Sequence, residues 1–447
     1  MRIRRTCVCL DGAALALGLH AIIPMIAAVA LVPVGAPHVA SAESNDAPHT
    51  EMVVSQGPDH RVRYMSGHTL CVEALRDGHW IVAFRSGDGR INMPSEVWSG
   101  DAFALEIDHE RLDSGWEWVS FEQPDATHHG VVELRHPSRA IRLRLHTELD
   151  GTPVMTRWLE ITNESSKPVA ITAVSPWGGR LSRGESWQLG YYRKDDHNEE
   201  GWFEWSALPR WHTTISSIKG QGHDAPFFVL RNDASGEYFI GSLAWSANWR
   251  LYFLQDPRGV VTFEFGPNAE APLRIVAPGE TVRSPALHLG HLSGDLDDAA
   301  QAMHAHVRRS VLPPTPETRG LVQYRVPADQ GYHMPFNEET ARENVDMAAA
   351  IGAELFILDT YWWDVTCDWY PSKERFPNGI ESLIAYVREK GMRFGLYTEA
   401  EGGRGNIRES AVAREHPDWL GPKDVINLAR ISHSLQRDFV FLGSFSV

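Results

Sequence analysis

Cysteine is scarce, with four in 447 residues. Cys7 and Cys9 fall in an N-terminal segment with the marks of an export signal, which leaves Cys71 and Cys367. Two lone cysteines far apart in sequence build neither a disulfide framework nor a zinc site. Positive charge is also short: 42 Lys and Arg stand against 58 Asp and Glu, a formal net charge of -16. That balance excludes a nucleic-acid partner or an anionic membrane surface and suits a neutral or cationic ligand. There is no phosphate loop, zinc signature, nucleophile elbow or short internal repeat. Neither a cofactor nor a metal is expected. "KDDHNEE" (Lys194 to Glu200) is acidic but lacks the ligand spacing of a calcium loop, and reads as a solvated loop. His304 and His306 stand two apart on a helix and face different ways. His128 and His129 adjoin Gly130 in a turn and read as surface.

What is abundant is tryptophan, at 16 residues. Such rings serve as flat apolar platforms for sugars, or as core residues of β-sandwiches. The N-terminus carries Arg2, Arg4 and Arg5 before the apolar stretch Gly12 to Val34, then Ala40 and Ala42 in "HVASAES". This predicts a signal peptide over residues 1–42, cleaved after Ala42, and an exported protein. The apolar run is long enough for an uncleaved anchor, but Pro24, Pro33 and the small-residue site argue against one.

Residues 43–293 read as β-structure. "RAIRLRLHTEL" alternates Ile141, Leu143 and Leu145 against Arg142, Arg144 and His146, the period of a half-buried strand. "MTRWLEITNESSKPVAITAVSP" reads as two strands joined in a hairpin. "WIVAF", "FFVLRN", "YFIGSLAW", "RLYFLQ" and "VVTFEF" add further strands, and many short strands with turn signals predict an all-β sandwich. Asn163 opens a glycosylation sequon, usable only in a eukaryotic secretory host. Residues 294–319 form a helical linker that breaks at Pro313 and Pro314.

From Gly320 the pattern changes to alternating strands and helices: "LVQYR", a helix capped by Asn337, "ELFILD", the helix "ESLIAYVREKG", then "MRFGLY". A helix near Ile407 to Glu415 and a strand near "DVINLA" continue it. Such alternation means βα units on a parallel sheet, doubly wound or barrel-like. Either way ligands sit at the C-terminal ends of the strands. "ELFILDTYWWD" places Asp359, Trp362 and Trp363 there, and "GLYTEAE" places Tyr397, Glu399 and Glu401 after the next strand. Carboxylates that bind hydroxyls beside aromatic faces suit a sugar. Alternatively, Asp359 caps the following loop and the Trp pair packs beneath it.

At these residues the chain resembles glycoside hydrolase family 36, the α-galactosidase or melibiase family. The motifs are "LDTYW", "CDWYPSKERFPNGI", "GMRFGLYTEAE" and "HPDW", in family order over Glu354 to Trp419. "RWLEITNESSKPVAI" and "MHAHVRRSVLPP" resemble the N-terminal half more loosely. The resemblance implies a multidomain fold, an N-terminal all-β supersandwich followed by a (β/α)8 TIM-type barrel, of which residues 320–447 supply a part. It implies retaining hydrolysis of terminal α-linked galactose, or of a related sugar such as an α-N-acetylgalactosaminide, from oligosaccharide or glycoside substrates. It also implies that Asp359 and Trp362 match the Asp and Trp of Asp-Asp-Gly-Trp, that Tyr397 replaces a subsite Trp, and that Glu399 and Glu401 match Glu-Pro-Glu. Thr360 replaces the second Asp, Ala400 replaces Pro, and the Asn-x-Trp-Glu of the first barrel strand is absent. These departures bear on galactose specificity more than on fold or reaction type.

The stretch after Gly320 is about half of the ~250 residues typical of a closed barrel. "ISHSLQRDFVFLGSFSV" follows no family pattern, and Asp438 lacks a Lys-x-Asp context and reads as a solvated charge. The nucleophile and acid/base carboxyls are therefore expected beyond this chain, as in a truncated or frame-shifted product. The alternative from another class is an inactive sugar-binding remnant. A homo-oligomer is compatible with either.

Overall fold

The computed structural model describes residues 49–55, 57, 59–86, 100–181, 187–193, 202–217, 224–269, 271–312, 320–326, 337–359, 362–364, 370–399 and 439–443. The chain divides into Met1–Ala47 and Pro48–Val447. The segment read as an export signal falls in the former; it and the acidic stretch Lys194 to Glu200 of the second unit lie outside the described residues. Among the described residues no helix is long and apolar enough to cross a membrane.

Up to Ser293 the described elements are strands, apart from one 3-10 turn at Pro137–Arg139. They form a ten-stranded sheet, a five-stranded sheet and two four-stranded sheets, packed around one apolar core. Ile141–Leu149 shows why. Ile141, Leu143 and Leu145 are fully buried, while Arg142 and Arg144 on the alternate phase are half-exposed. His146 departs from that pattern and is buried. Its ring stacks on Trp158 at 4.8 Å and 12°, so the outer face of the sheet is closed there. His129, expected at the surface, joins this stack with Nε2 3.1 Å from His146 Nδ1.

The expected hairpin is a different structure. Val154–Asn163 lies in the ten-stranded sheet, between Ile141–Leu149 and Ala286–Ser293. Val169–Ser175 pairs instead with Arg274–Val276 and Ala104–Ile107 in another sheet. The linking residues form an arch between sheets. Leu159 and Ile161 enter the core from one side, Val169 and Ile171 from the other. Asn163 fixes the arch: its buried amide donates to the carbonyls of Lys167 at 2.7 Å and Val276 at 3.0 Å. That engagement also removes the sequon from use, because a fully buried amide cannot accept a glycan.

Two sheets come close together at Gly266. A Cβ there would lie 1.9 Å from the carbonyl oxygen of Val174, a backbone atom that cannot rotate aside. We expect Gly266→Ala to lower stability by about 2–3 kcal/mol in urea unfolding, the cost of forcing extra volume into a packed interior. An unchanged urea midpoint would show that the sheets part easily.

The helix Leu296–His306 begins in a capping box, Asp295 with Asp298. Its Ala299, Ala302 and Met303 cover Val154, Val229, Ile240 and Leu292 on the outer face of the ten-stranded sheet. Val154–Asn163 is therefore buried on both sides at its start.

Beyond Gly320, the described residues form four parallel strands in chain order: Gln323–Arg325, Leu355–Leu358, Arg393–Glu399 and Phe439–Gly443. Neighbours follow without reversal, as in a sector of a (β/α) barrel rather than at the switch point of a doubly wound sheet. Glu338–Ala350, capped by Asn337 and Thr340, follows the first strand, and Glu381–Glu389 follows the second. Ala341, Val345, Leu383, Ile384 and Val387 of these helices pack on Phe356, Leu358, Phe394 and Leu396. Gly352 and Gly391, at φ of 81° and 82°, turn the chain out of each helix into the next strand. Phe439–Gly443, paired with Gly395–Glu399, lies in the stretch after Arg430 that follows no family pattern. The helix near Ile407 to Glu415, the strand near "DVINLA", and Asp438 lie outside the described residues.

Candidate functional site

Register sets the level at which the parallel strands end. Arg325 pairs with Ile357, and Leu358 with Leu396. By the two-residue period of a strand, Arg325, Asp359 and Tyr397 share one face, opposite Phe356 and Leu358, which meet the helices. This is the face that a barrel encloses, and its C-terminal rim is where barrel proteins bind ligands.

Asp359 is 4% exposed. Its charge is met by Arg325, with Nε 3.0 Å from Oδ2. A buried carboxylate needs such a partner to remain charged away from water. Arg325 was not picked out by sequence reasoning. The available signal was its place as the last residue of "LVQYR", but its meeting with Asp359 depends on a register that local pattern does not reveal.

The aromatics after Asp359 are placed by their polar atoms as well as by their rings. Trp362 is fully buried and its indole Nε1 donates to the carbonyl of Tyr397 at 2.9 Å. Its own carbonyl accepts from Ser372 N at 2.8 Å. Trp363 meets Trp362 edge-on at 5.0 Å and 85°, and lies nearly parallel to Tyr397 at 6.3 Å and 15°. Arg375 Nη1 donates to the Trp363 carbonyl at 3.0 Å. Trp363 and Tyr397 are 6% and 3% exposed. The structure thus brings Asp359, Trp362, Trp363 and Tyr397 together, with the three rings as a packed floor that holds the strand-end segment in place. This is the packing alternative for the Trp pair, and the rings are not open platforms here. Glu399 ends the third strand opposite Gly443; its side chain and the whole of Glu401 lie outside the described residues.

Among the described residues no group of three or more His, Cys, Asp or Glu is placed to hold a metal. His304 is exposed and His306 buried, as their spacing implies.

Comparison with known proteins agrees with this layout. The description "Glycosyl hydrolase family 36 N-terminal domain" matches residues 36–275, and "Melibiase" matches residues 281–442. The chain belongs to glycosyl hydrolase family 36. It is 26% identical over 307 residues to an α-galactosidase from Lactobacillus acidophilus, covering 62% of this chain and 39% of that protein. It is 28% identical over 201 residues to an α-galactosidase from Escherichia coli, covering 42% and 27%. The chain spans well under half the length of these relatives. Among solved structures, the α-galactosidase from Lactobacillus brevis superposes with a TM-score of 0.69 at 18% identity, over 87% of this chain and 64% of that one. A variant of AgaA from Geobacillus stearothermophilus, in complex with raffinose, superposes with a TM-score of 0.64 at 18% identity, over 84% and 62%. These likenesses establish the fold, a β-rich N-terminal region followed by part of a barrel.

Proposed function

We propose that this protein acts on terminal α-linked galactose, or a closely related sugar, in oligosaccharides, and that the described strand ends form the sugar-holding side of its pocket. The observation that carries this is Asp359, a buried, ion-paired carboxylate at the rim of a parallel sheet in a family 36 chain. Relatives named α-galactosidase, one of them in complex with raffinose, support the sugar class. In this reading Asp359, Glu399 and Glu401 accept hydrogen bonds from sugar hydroxyls, while Trp362, Trp363 and Tyr397 keep the rim rigid. Hydrolysis with retention needs two further carboxyls about 5–5.5 Å apart across the glycosidic bond, one attacking the anomeric carbon and one exchanging protons with the leaving oxygen. We assign neither to a residue of this chain. A second reading, sugar binding without turnover, is favoured by Thr360, which stands where the resemblance has a second Asp.

The test is calorimetric titration with galactose, run beside release of the chromophore from a chromogenic α-galactoside. Binding with release supports the hydrolase, binding alone supports the second reading, and neither sinks both. A chromogenic α-N-acetylgalactosaminide as second substrate distinguishes the related sugar. We also propose export through residues 1–42. N-terminal sequencing of mature protein should begin at Glu43, and a chain that keeps Met1 would refute cleavage.

A further inference from the structure

We propose that Arg325 is a positioning residue for sugar binding: its ion pair with Asp359 fixes the carboxylate that accepts the sugar hydroxyl. This rests on the galactoside reading above and adds to it the residue that aims the acceptor.

The argument begins with exposure. The Asp359 side chain is 5% exposed and that of Arg325 is 45% exposed. The charge that compensates the buried acid is thus delivered from the solvent side of the rim, along the neighbouring strand. The backbone supports this placement. Gln323–Arg325 is bonded in parallel to Leu355–Leu358, and the ladder runs one step past Arg325, with Val326 N donating to Ile357 O at 3.1 Å. Arg325 is therefore held at its Cα level with Ile357, two residues before Asp359 and on the same face. A carboxylate can turn about its last torsion and present its oxygens in many directions. An ion pair at 3.0 Å with a guanidinium anchored on the adjacent strand favours the rotamer that keeps Oδ2 beside that charge. A lysine ammonium at the same position supplies the charge but not the reach of the guanidinium, and so reproduces the pairing only in part.

The other described arginine at this end of the sheet is engaged differently. Arg375 Nη1 donates to the Trp363 carbonyl at 3.0 Å and lies 3.9 Å from Asp364. One arginine thus secures the aromatic segment and the other secures the acid. Among the described residues, the charge this strand brings to the rim is the Arg325 guanidinium, a cation acting through Asp359.

Calorimetric titration with galactose of the full chain, of Arg325→Gln, Arg325→Lys and Asp359→Asn, and of the Gln/Asn double variant tests this. Arg325→Gln should weaken binding about tenfold or more, as expected when a buried carboxylate loses its counter-charge. Arg325→Lys should recover part of that loss. In the Asp359→Asn background, Arg325→Gln should add less than about twofold, because the residue through which it acts is already changed. Equal losses in both backgrounds would mean a general structural role and overturn the proposal, as would wild-type affinity in Arg325→Gln. No galactose binding by the unsubstituted chain would instead overturn the functional reading, and this role with it. Thermal unfolding of each variant monitors the fold. Should the Gln variant unfold, Arg325→Lys carries the test, with an expected weakening of about threefold that vanishes beside Asp359→Asn.

Discussion

Changing Glu73 to Gln, or Arg157 to Met, is expected to destabilise the protein by about 3–5 kcal/mol each, and changing both to apolar residues together should recover most of the loss. Both side chains are 0% exposed and form an ion pair across the sandwich core, from Thr69–Arg76 to Val154–Asn163. Each charge has further support. Trp80 Nε1 donates to Glu73 at 3.1 Å. Arg157 donates to the Thr147 hydroxyl from Nε at 3.1 Å and Nη2 at 2.8 Å. Its guanidinium lies 4.3 Å from the centroid of the Trp177 ring and 5.9 Å from that of Tyr64. The neighbourhood is poor in water: burial, with Glu73 adding to it, holds the Tyr64 hydroxyl far above its usual range.

Removing one partner leaves the other charge buried without its counter-ion, and that desolvation is the source of the loss. Removing both deletes the penalty with the attraction. Urea unfolding of the two single variants and of a Glu73→Leu, Arg157→Met double variant measures it. Single variants of wild-type stability, or a double variant as weak as the sum of the singles, would show that the pair is not what orders this core.

The same pair shows what the sequence made legible. Arg157 falls in phase with Met155, Leu159 and Ile161, and Glu73 in phase with Cys71. A charge on the apolar phase of a strand was a readable signal of burial. What no local pattern contained was that the two lie opposite each other across the core. Period tells that a segment is a strand and which residues point one way; it does not name the partner strand. For that reason the period of Ile141–Leu149 predicts its strand and, His146 apart, its buried face, while the segment after Asn163 forms an arch in place of the expected hairpin. An arch buries the same alternate residues in the same core. At the rim, Asp359 was legible because packing alone does not ask for an acid after Leu358. Arg325 was not, since its role follows from parallel register. Whether Trp362 and Trp363 bind or pack could not be separated by residue type, and burial places them in the core.

A second large effect is expected from acid, and its source is the seam between the linker helix and the ten-stranded sheet. His306 ends the helix Leu296–His306 with Nδ1 2.7 Å from Asp150 Oδ2, and with Nε2 2.8 Å from His288 Nδ1. The Thr156 hydroxyl lies 3.0 Å from His288 and 3.3 Å from His306. Ser310 donates to the Asp150 carboxylate at 2.7 Å, and Arg309 to the Asp150 carbonyl at 3.3 Å. Burial first, then the nearby His306, pushes His288 down from 6.5 to about 4, with Asp150 opposing.

Because the folded value lies below the unfolded one, the unfolded chain binds the proton first. The stability linked to neutral His288 is complete above pH 6.5 and is lost as pH falls towards 4. A shift of that size corresponds to about 3 kcal/mol. Asp150 adds to the loss lower down. Burial raises it, but hydrogen bonds from His306, Thr152 and Ser310 outweigh that and hold it at about 2. Its contribution is present above 3.8 and disappears below that. His146, lowered first by burial, works in the same direction as His288, so the wild-type slope is a sum and only a difference isolates one residue. Urea unfolding of wild type and His288→Asn at pH 7, 5.5 and 4.5 supplies that difference. The wild type should lose about 2 kcal/mol more than the variant across the range, the remainder of the shift being lost only below pH 4. Parallel pH dependences would mean that His288 is not the group that acid titrates at this seam. The predicted difference falls on the contacts that fasten the helix to the sheet, so acid should release first the segment through which the sandwich leads to the parallel strands.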